Sequence, residues 1–196
     1  GVGVNVPFGL STDYDNGWVG RYHGLKAEIT TININPAIAW KATDSVSLGI
    51  GLSYQYIDVE ITNNLDSAYF CDAARASVNP AATCSSYTAG LSNAAQDSQL
   101  GLTGDDYSIG WNVGVLFDIS DKSRLGLAYR SAIKHDIEGT ASYTLDSALA
   151  TAVAGTPFLS TTSLTAGAEL PETFSVSFVH DYNERWTLLL DWTYTG

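Results

Sequence analysis

Methionine is missing from the 196 residues altogether, cysteine occurs twice, proline five times, and lysine plus arginine only nine times against 21 acidic residues. Each shortage removes a class of protein. A formal charge of -12 leaves no basic patch for nucleic-acid phosphates, so nucleic acid is not a partner. No apolar run reaches the roughly 20 residues that a membrane-crossing helix needs. The three histidines, His23, His135 and His180, are scattered among loop, strand and turn, with no nucleophile–base spacing beside them. The expectation is therefore no enzyme, no catalytic residue, no metal and no cofactor. Cys71 and Cys84 have no neighbouring histidine and make a poor zinc site. An even pair inside one long exposed loop predicts a disulfide.

What the chain does have is an unbroken alternation of connection lengths. Strand-like segments read over 1–10, 26–40, 46–61, 107–118, 124–138, 172–180 and 185–195. Short turns near Lys41–Ser45, Asp118–Ser123 and His180–Arg185 alternate with a loop of about fifteen residues and two longer ones, 62–106 and 139–171. All the short turns then lie at one end and all the long loops at the other, which is the plan of an outer-membrane barrel. Sandwiches mix their connections between both ends. The expected fold is all-β: a transmembrane antiparallel up-and-down β-barrel, here an incomplete sheet of about seven strands in a single partial domain, 1–196. Both ends of the chain alternate like strands in progress, so it reads as an internal stretch of a longer barrel.

The faces agree. Val46, Leu48, Ile50, Leu52, Tyr54 and Tyr56 share one side of their segment, opposite Ser47, Gly49, Gly51, Ser53 and Gln55. Segments 107–117 and 186–194 repeat the pattern, with aromatic residues at the strand ends as an interfacial girdle requires. Trp186 to Tyr194 covers about 20 Å of height at a typical barrel tilt. The polar side is Gly, Ser, Asn and Thr, without the Lys and Glu of a water-facing sheet. A mean hydropathy near zero is what two alternating faces average to. Past Tyr56 the polarity inverts: Ile57, Val59 and Ile61 continue the lumen side, and Asp58 and Glu60 the outside. An apolar upper lumen suits a hydrophobic ligand or a packed loop core.

Several stretches resemble the outer-membrane long-chain fatty-acid transporters of the FadL type. They are Gly3-Val4-Asn5-Val6-Pro7-Phe8-Gly9-Leu10, Trp18-Val19-Gly20-Arg21-Tyr22, Ile32-Asn33-Ile34-Asn35-Pro36, Tyr129-Arg130-Ser131, Ile133-Lys134-His135, Glu138-Gly139 and Leu170-Pro171-Glu172-Thr173-Phe174. The resemblance implies a monomeric fourteen-stranded barrel of the bacterial outer membrane, plugged by an N-terminal hatch, that captures hydrophobic small molecules on its loops and releases them sideways into outer-membrane lipid. It would place this chain at the third through ninth strands. The resemblance puts a lateral portal at Asn5, Pro7, Phe8 and Gly9, where proline and glycine also interrupt the first strand. Candidate substrate contacts are Ile57, Val59 and Ile61, with Tyr69 and Phe70 in the long loop. Arg130 and Lys134, both counted inward by alternation from Tyr129, would hold a carboxylate or else brace the lumen against Asp136, Glu138 or Asp191. Short helices are expected near Asp72–Ala76 and Leu91–Gln99. Asn63 stands where some relatives offer a base, so uptake of aromatic hydrocarbons stays open, as does a general porin or adhesin barrel.

Overall fold

The computed structural model describes residues 1–84, 87 and 93–196. It is a curved, open antiparallel sheet of ten segments: β1 Val2–Asn5, β2 Gly9–Asp13, β3 Lys26–Thr43, β4 Val46–Leu65, β5 Ser98–Ser120, β6 Ser123–Arg130, β7 Ile133–Thr144, β8 Thr162–Leu170, β9 Thr173–Asn183 and β10 Trp186–Thr195. Two helices, α1 Ser67–Ser77 and α2 Ser147–Val153, sit in the two long connections. Three pairs of segments are single staves broken by a kink (β1–β2, β6–β7 and β8–β9), so the wall has the seven staves expected from the sequence. Its spatial order follows the chain, from β1 and β2 against β3 through β4, β5, β6 with β7, and β8 with β9, to β10. Among the described residues no helix is long and apolar enough to cross a membrane.

The β4–β5 ladder is the spine of the wall, and it runs in constant register from Val46↔Phe117 to Leu65↔Ser98. Twenty residues at about 3.3 Å each, tilted by about 40°, rise roughly 50 Å, and an apolar band takes up about 25 Å of that height. Strand pairing therefore continues well above the tyrosines at Tyr54, Tyr56 and Tyr107. The loops expected over 62–106 and 139–171 shrink to their outer parts, 66–97 and 145–161, because β7 and β8 are likewise paired as far as Ala141↔Thr162. Cross-strand hydrogen bonding outlasts the membrane pattern that revealed it.

Outside, Ile38, Trp40, Ile50, Leu52, Ile109 and Trp111 stand exposed, as lipid-facing residues must. Tyr54, Tyr56 and Tyr107 cluster at one level, with ring centroids 5.6 and 4.7 Å apart. A separate small core lies in the loops. Asp66 caps α1 by accepting from the Ala68 and Tyr69 amides, and Asp146 caps α2 through the Ala148 amide. The helices bury Ala68, Cys71, Ala74, Leu149, Ala152 and Val153 against each other. Cys71 and Cys84 are joined in a disulfide. The helix expected near Asp72–Ala76 is part of α1. The one expected over Leu91–Gln99 is not formed in its described part: residues 93–97 close a turn onto the Asn93 carbonyl, and Ser98 opens β5. Leu91 and Ser92 lie outside the described residues. α2 had no sequence signal beyond the alanines of the second loop.

Candidate functional site

The three kinked staves break at two places, and the concave wall takes its shape from those breaks. The first break is at Val6-Pro7. β1 pairs with β3 as far as Asn5↔Asn33, and β2 resumes at Gly9↔Thr30, one residue out of step. Two residues thus oppose Ile32, a β-bulge. Proline has no N–H to lose, so the bulge falls there at little cost. The ladder recovers at once: the Phe8 carbonyl accepts from the Thr31 amide at 3.2 Å and from Thr31 Oγ1 at 2.7 Å. Asn33 donates to Asn5 Oδ1 at 3.0 Å, while its own Oδ1 is buried with no partner among the described residues. Asn5, Pro7, Phe8 and Gly9 therefore do surround a kink.

The second break, in the stave read from the sequence as one strand over 124–138, is longer. β6 pairs with β5 up to Asn112↔Arg130, and β7 rejoins β5 only at Asp105↔Glu138. Six residues of β5 face seven of the other stave, so one extra residue sits at Ser131–Ala132. β8–β9 bends alongside, because Ile133↔Leu170 and Arg130↔Thr173 keep one register across the bend. Pro171, opposite Ala132 in that register, marks the place. Side chains replace the missing rungs. Ser131 Oγ accepts from the Trp111 amide at 3.0 Å, Ser108 Oγ donates to the Lys134 carbonyl at 2.5 Å, and the Asp106 carboxylate accepts from the Asp136 amide at 3.2 Å. His135, buried, bridges Asp106 at 3.0 Å and Gln55 at 3.2 Å.

The extra residue reverses alternation above it and corrects one sequence expectation. Ile133, His135 and Ile137 face inward and are buried. Lys134 faces outward, 76% exposed, and pairs with Glu169 across β8 at 3.6 Å. It cannot share a site with Arg130. Arg130, below the bend, keeps the inward direction that alternation gives it. It lines a recess of about 570 Å³ with Asn35, Gly49, Asn112, Gly114 and Ser175, and it makes no ion pair among the described residues. Ile57, Val59 and Ile61 follow the unbroken β4–β5 register on the same concave side, higher up. Ile57 is fully buried there and Ile61 partly open.

Tyr69 and Phe70 lie apart from these residues, at the start of α1. Phe70 leans on the loop core, and Tyr69 stands exposed with its ring edge-on to Phe70 at 5.4 Å. Both border a recess of about 440 Å³ with Tyr22, Asn63, Asn64, Leu65 and Asp66. A network that sequence reasoning missed holds this recess in place. Buried Asp97 accepts from Arg21 Nε at 2.5 Å and from Tyr22 at 2.9 Å, tying the first loop to the second. That hydrogen bond holds the guanidinium charged and pushes the Arg21 pKa further up. The concave face thus offers two stations, a loop recess with aromatic walls and a lumenal recess with one free cation among the described residues, with an apolar stretch along the wall.

The chain matches, over residues 1–196, the family described as outer membrane protein transport protein (OMPP1/FadL/TodX). It is 25% identical to the long-chain fatty acid transport protein of Escherichia coli O6:H1, across 100% of this chain and 44% of that protein. A crystal structure of a Pseudomonas aeruginosa FadL homologue superposes with a TM-score of 0.78 at 25% identity, covering 99% of this chain and 44% of the other. The Ralstonia pickettii toluene transporter TbuX superposes at 0.67 with 14% identity, over 99% and 50%, which shows a shared fold. The chain spans about half the length of the relatives it matches.

Proposed function

The chain belongs to the outer membrane protein transport family (OMPP1/FadL/TodX), and from that membership we propose that the protein moves hydrophobic compounds across the outer membrane, with long-chain fatty acids as cargo. The observation that carries the choice of cargo is Arg130. A guanidinium without an ion-pair partner among the described residues, in a recess lined by Asn35, Asn112 and Ser175 together with Ile38, Ile50 and Val113, offers a carboxylate two parallel hydrogen bonds. A neutral hydrocarbon has no use for it. Val59 and Ile61, backed by buried Ile57, give the acyl chain an apolar surface above that charge.

The route runs from the aromatic recess at Tyr69 and Phe70, down the apolar wall to Arg130, with lateral release at the Val6–Pro7 bulge into outer-membrane lipid. No step consumes energy or makes a covalent bond; each station only needs to bind less tightly than the flux can clear. The protein acts as a monomer on this reading. The test is uptake of labelled oleate by a deletion strain carrying the full-length protein, measured beside toluene entry and the swelling of proteoliposomes in small sugars. Oleate uptake restored without sugar swelling supports the reading. Toluene entry restored without oleate uptake moves the cargo to aromatic hydrocarbons, and sugar swelling makes the protein a general porin.

A further inference from the structure

Below the Asp105↔Glu138 pair the ladder between β5 and β7 lapses, and the wall there is sewn largely by side chains. Among the described residues no register pairing joins Asp106–Gly110 to residues 132–137; apart from the Ser131 amide, which donates to the Trp111 carbonyl at 2.9 Å, the closing contacts are those of the Ser131, Ser108, Asp106 and His135 side chains. At membrane depth every backbone polar group must be bonded, which is why barrel walls are continuous ladders. A five-residue lapse at the upper edge of the lipid-facing band therefore marks a place built to part. We propose that this seam is a second lateral aperture through which hydrophobic cargo passes between the lumen and the outer leaflet, latched by Ser108, Ser131 and the Asp106–His135 pair. The proposal rests on the cargo being hydrophobic, as proposed above.

Three features support it. The latch opens by side-chain rotation at Ser108, Ser131 and Asp106, which frees His135, and by loss of the single Ser131–Trp111 backbone bond, whereas opening a ladder of the same length breaks every rung. Apolar side chains flank both mouths: Ile133, Ile137 and Ile57 surround His135 on the inside, and Ile109 and Trp111 stand exposed on the β5 side of the outer mouth, across from Lys134 and Asp136 on β7. The inner plug is removable, because Ile133 and Ile137 lie over Gly110 and Gly104. A Cβ at Gly110 would stand 2.7 Å from Ile133 Cγ1, and one at Gly104 would stand 2.8 Å from Ile137 Cγ2. Glycine at both positions leaves the isoleucines room to sit across the seam and to swing off it. The Val6–Pro7 bulge, by comparison, regains its ladder at Phe8 and offers a shorter gap.

The test locks each opening separately in the full-length protein. A Cβ at Gly110 lies 3.1 Å from Ser131 Oγ, close enough for a disulfide in the variant Gly110→Cys/Ser131→Cys. Asn5→Cys/Asn33→Cys, at a paired inward position, locks the first bulge. Oleate uptake by the oxidised seam variant should fall towards that of the deletion strain and recover with dithiothreitol. Wild type treated with the same reductant controls for the natural disulfide. Oxidised seam variant transporting like wild type, with the first-bulge variant blocked, overturns the aperture and leaves the transport reading intact. Amide hydrogen exchange in micelles tests the seam without any transport. The Trp111 and Asp136 amides should exchange faster than ladder-bound neighbours, and faster still in Ser108→Ala/Ser131→Ala. Ladder-like protection of both amides overturns the proposal even if oleate proves not to be the cargo.

Discussion

At the residue scale, alternation is a powerful guide until one residue too many appears. Arg130 sits where counting from Tyr129 puts it, and Lys134, four positions on, does not, because Ser131–Ala132 inserts a half-period. Nothing in Ser-Ala announces a bulge; the readable mark was Pro171 on the neighbouring stave, which only register connects to Ala132. If Arg130 holds a carboxylate, Arg130→Gln should weaken fatty-acid binding by about tenfold or more, the worth of a charge-assisted hydrogen bond. Binding of the methyl ester should change little. Titration of both ligands by tryptophan fluorescence checks this, and equal losses would leave Arg130 a brace. Tyr87 offers a second test. Burial, then the 2.6 Å hydrogen bond it donates to Asp146, push its pKa up to about 12. A raised pKa means the stabilisation is complete below the ordinary tyrosine value of about 10 and fades as pH climbs through about 12. Thermal melts of the lid, the loop core of α1, α2 and their disulfide, should therefore fall across that alkaline window in the wild type, and Tyr87→Phe should flatten the fall.

At the element scale, the strands within the membrane were legible because lipid imposes a strict alternation, and Val46–Tyr56 shows it without exception. The last residues of β4 beyond Ile61, the outer part of β5 before Tyr107 and all of β8 were not, since above the bilayer water accepts either polarity and only cross-strand hydrogen bonds mark the strand. The loop helices were half legible: α1 had the capping Asp66 and an apolar run, while α2 is a short alanine-rich turn fixed by packing on α1. The disulfide closes α1 onto the segment that reaches Tyr87. Removing it by Cys71→Ser/Cys84→Ser should cost the lid about 3 kcal/mol on loop-closure grounds. The expected result is faster trypsin cleavage at Arg75, with the heat-modifiable gel mobility of the full-length barrel unchanged. A loss of that mobility would mean the lid helps the wall to form.

At the scale of the whole molecule, the sheet curves but does not close, and its outermost segments β1 and β10 each pair on one side only. Val2, Val4, Leu188, Leu189, Leu190 and Trp192 are exposed along those edges. An open apolar edge seeks another strand, and a lipid-embedded one is untenable. Residues 1–196 expressed by themselves should therefore form mixed oligomers in detergent, seen by light scattering, with no heat-modifiable monomer. A monodisperse monomer would show that the edges are blunted in some other way.

The shared bend of β6–β7 and β8–β9 constrains how this chain can lengthen or shorten over evolutionary time. Losing Ala132 alone would bring β7 back into step with β5 and throw it out of step with β8. Losing Pro171 alone would break β8 from β7 and repair nothing. Losing both restores every register at once, and it keeps Arg130 and Ile133 on the same side. Lineages should thus carry this wall in two lengths, two residues apart and never one, and the shorter form should have exchanged its sewn gap for an ordinary ladder.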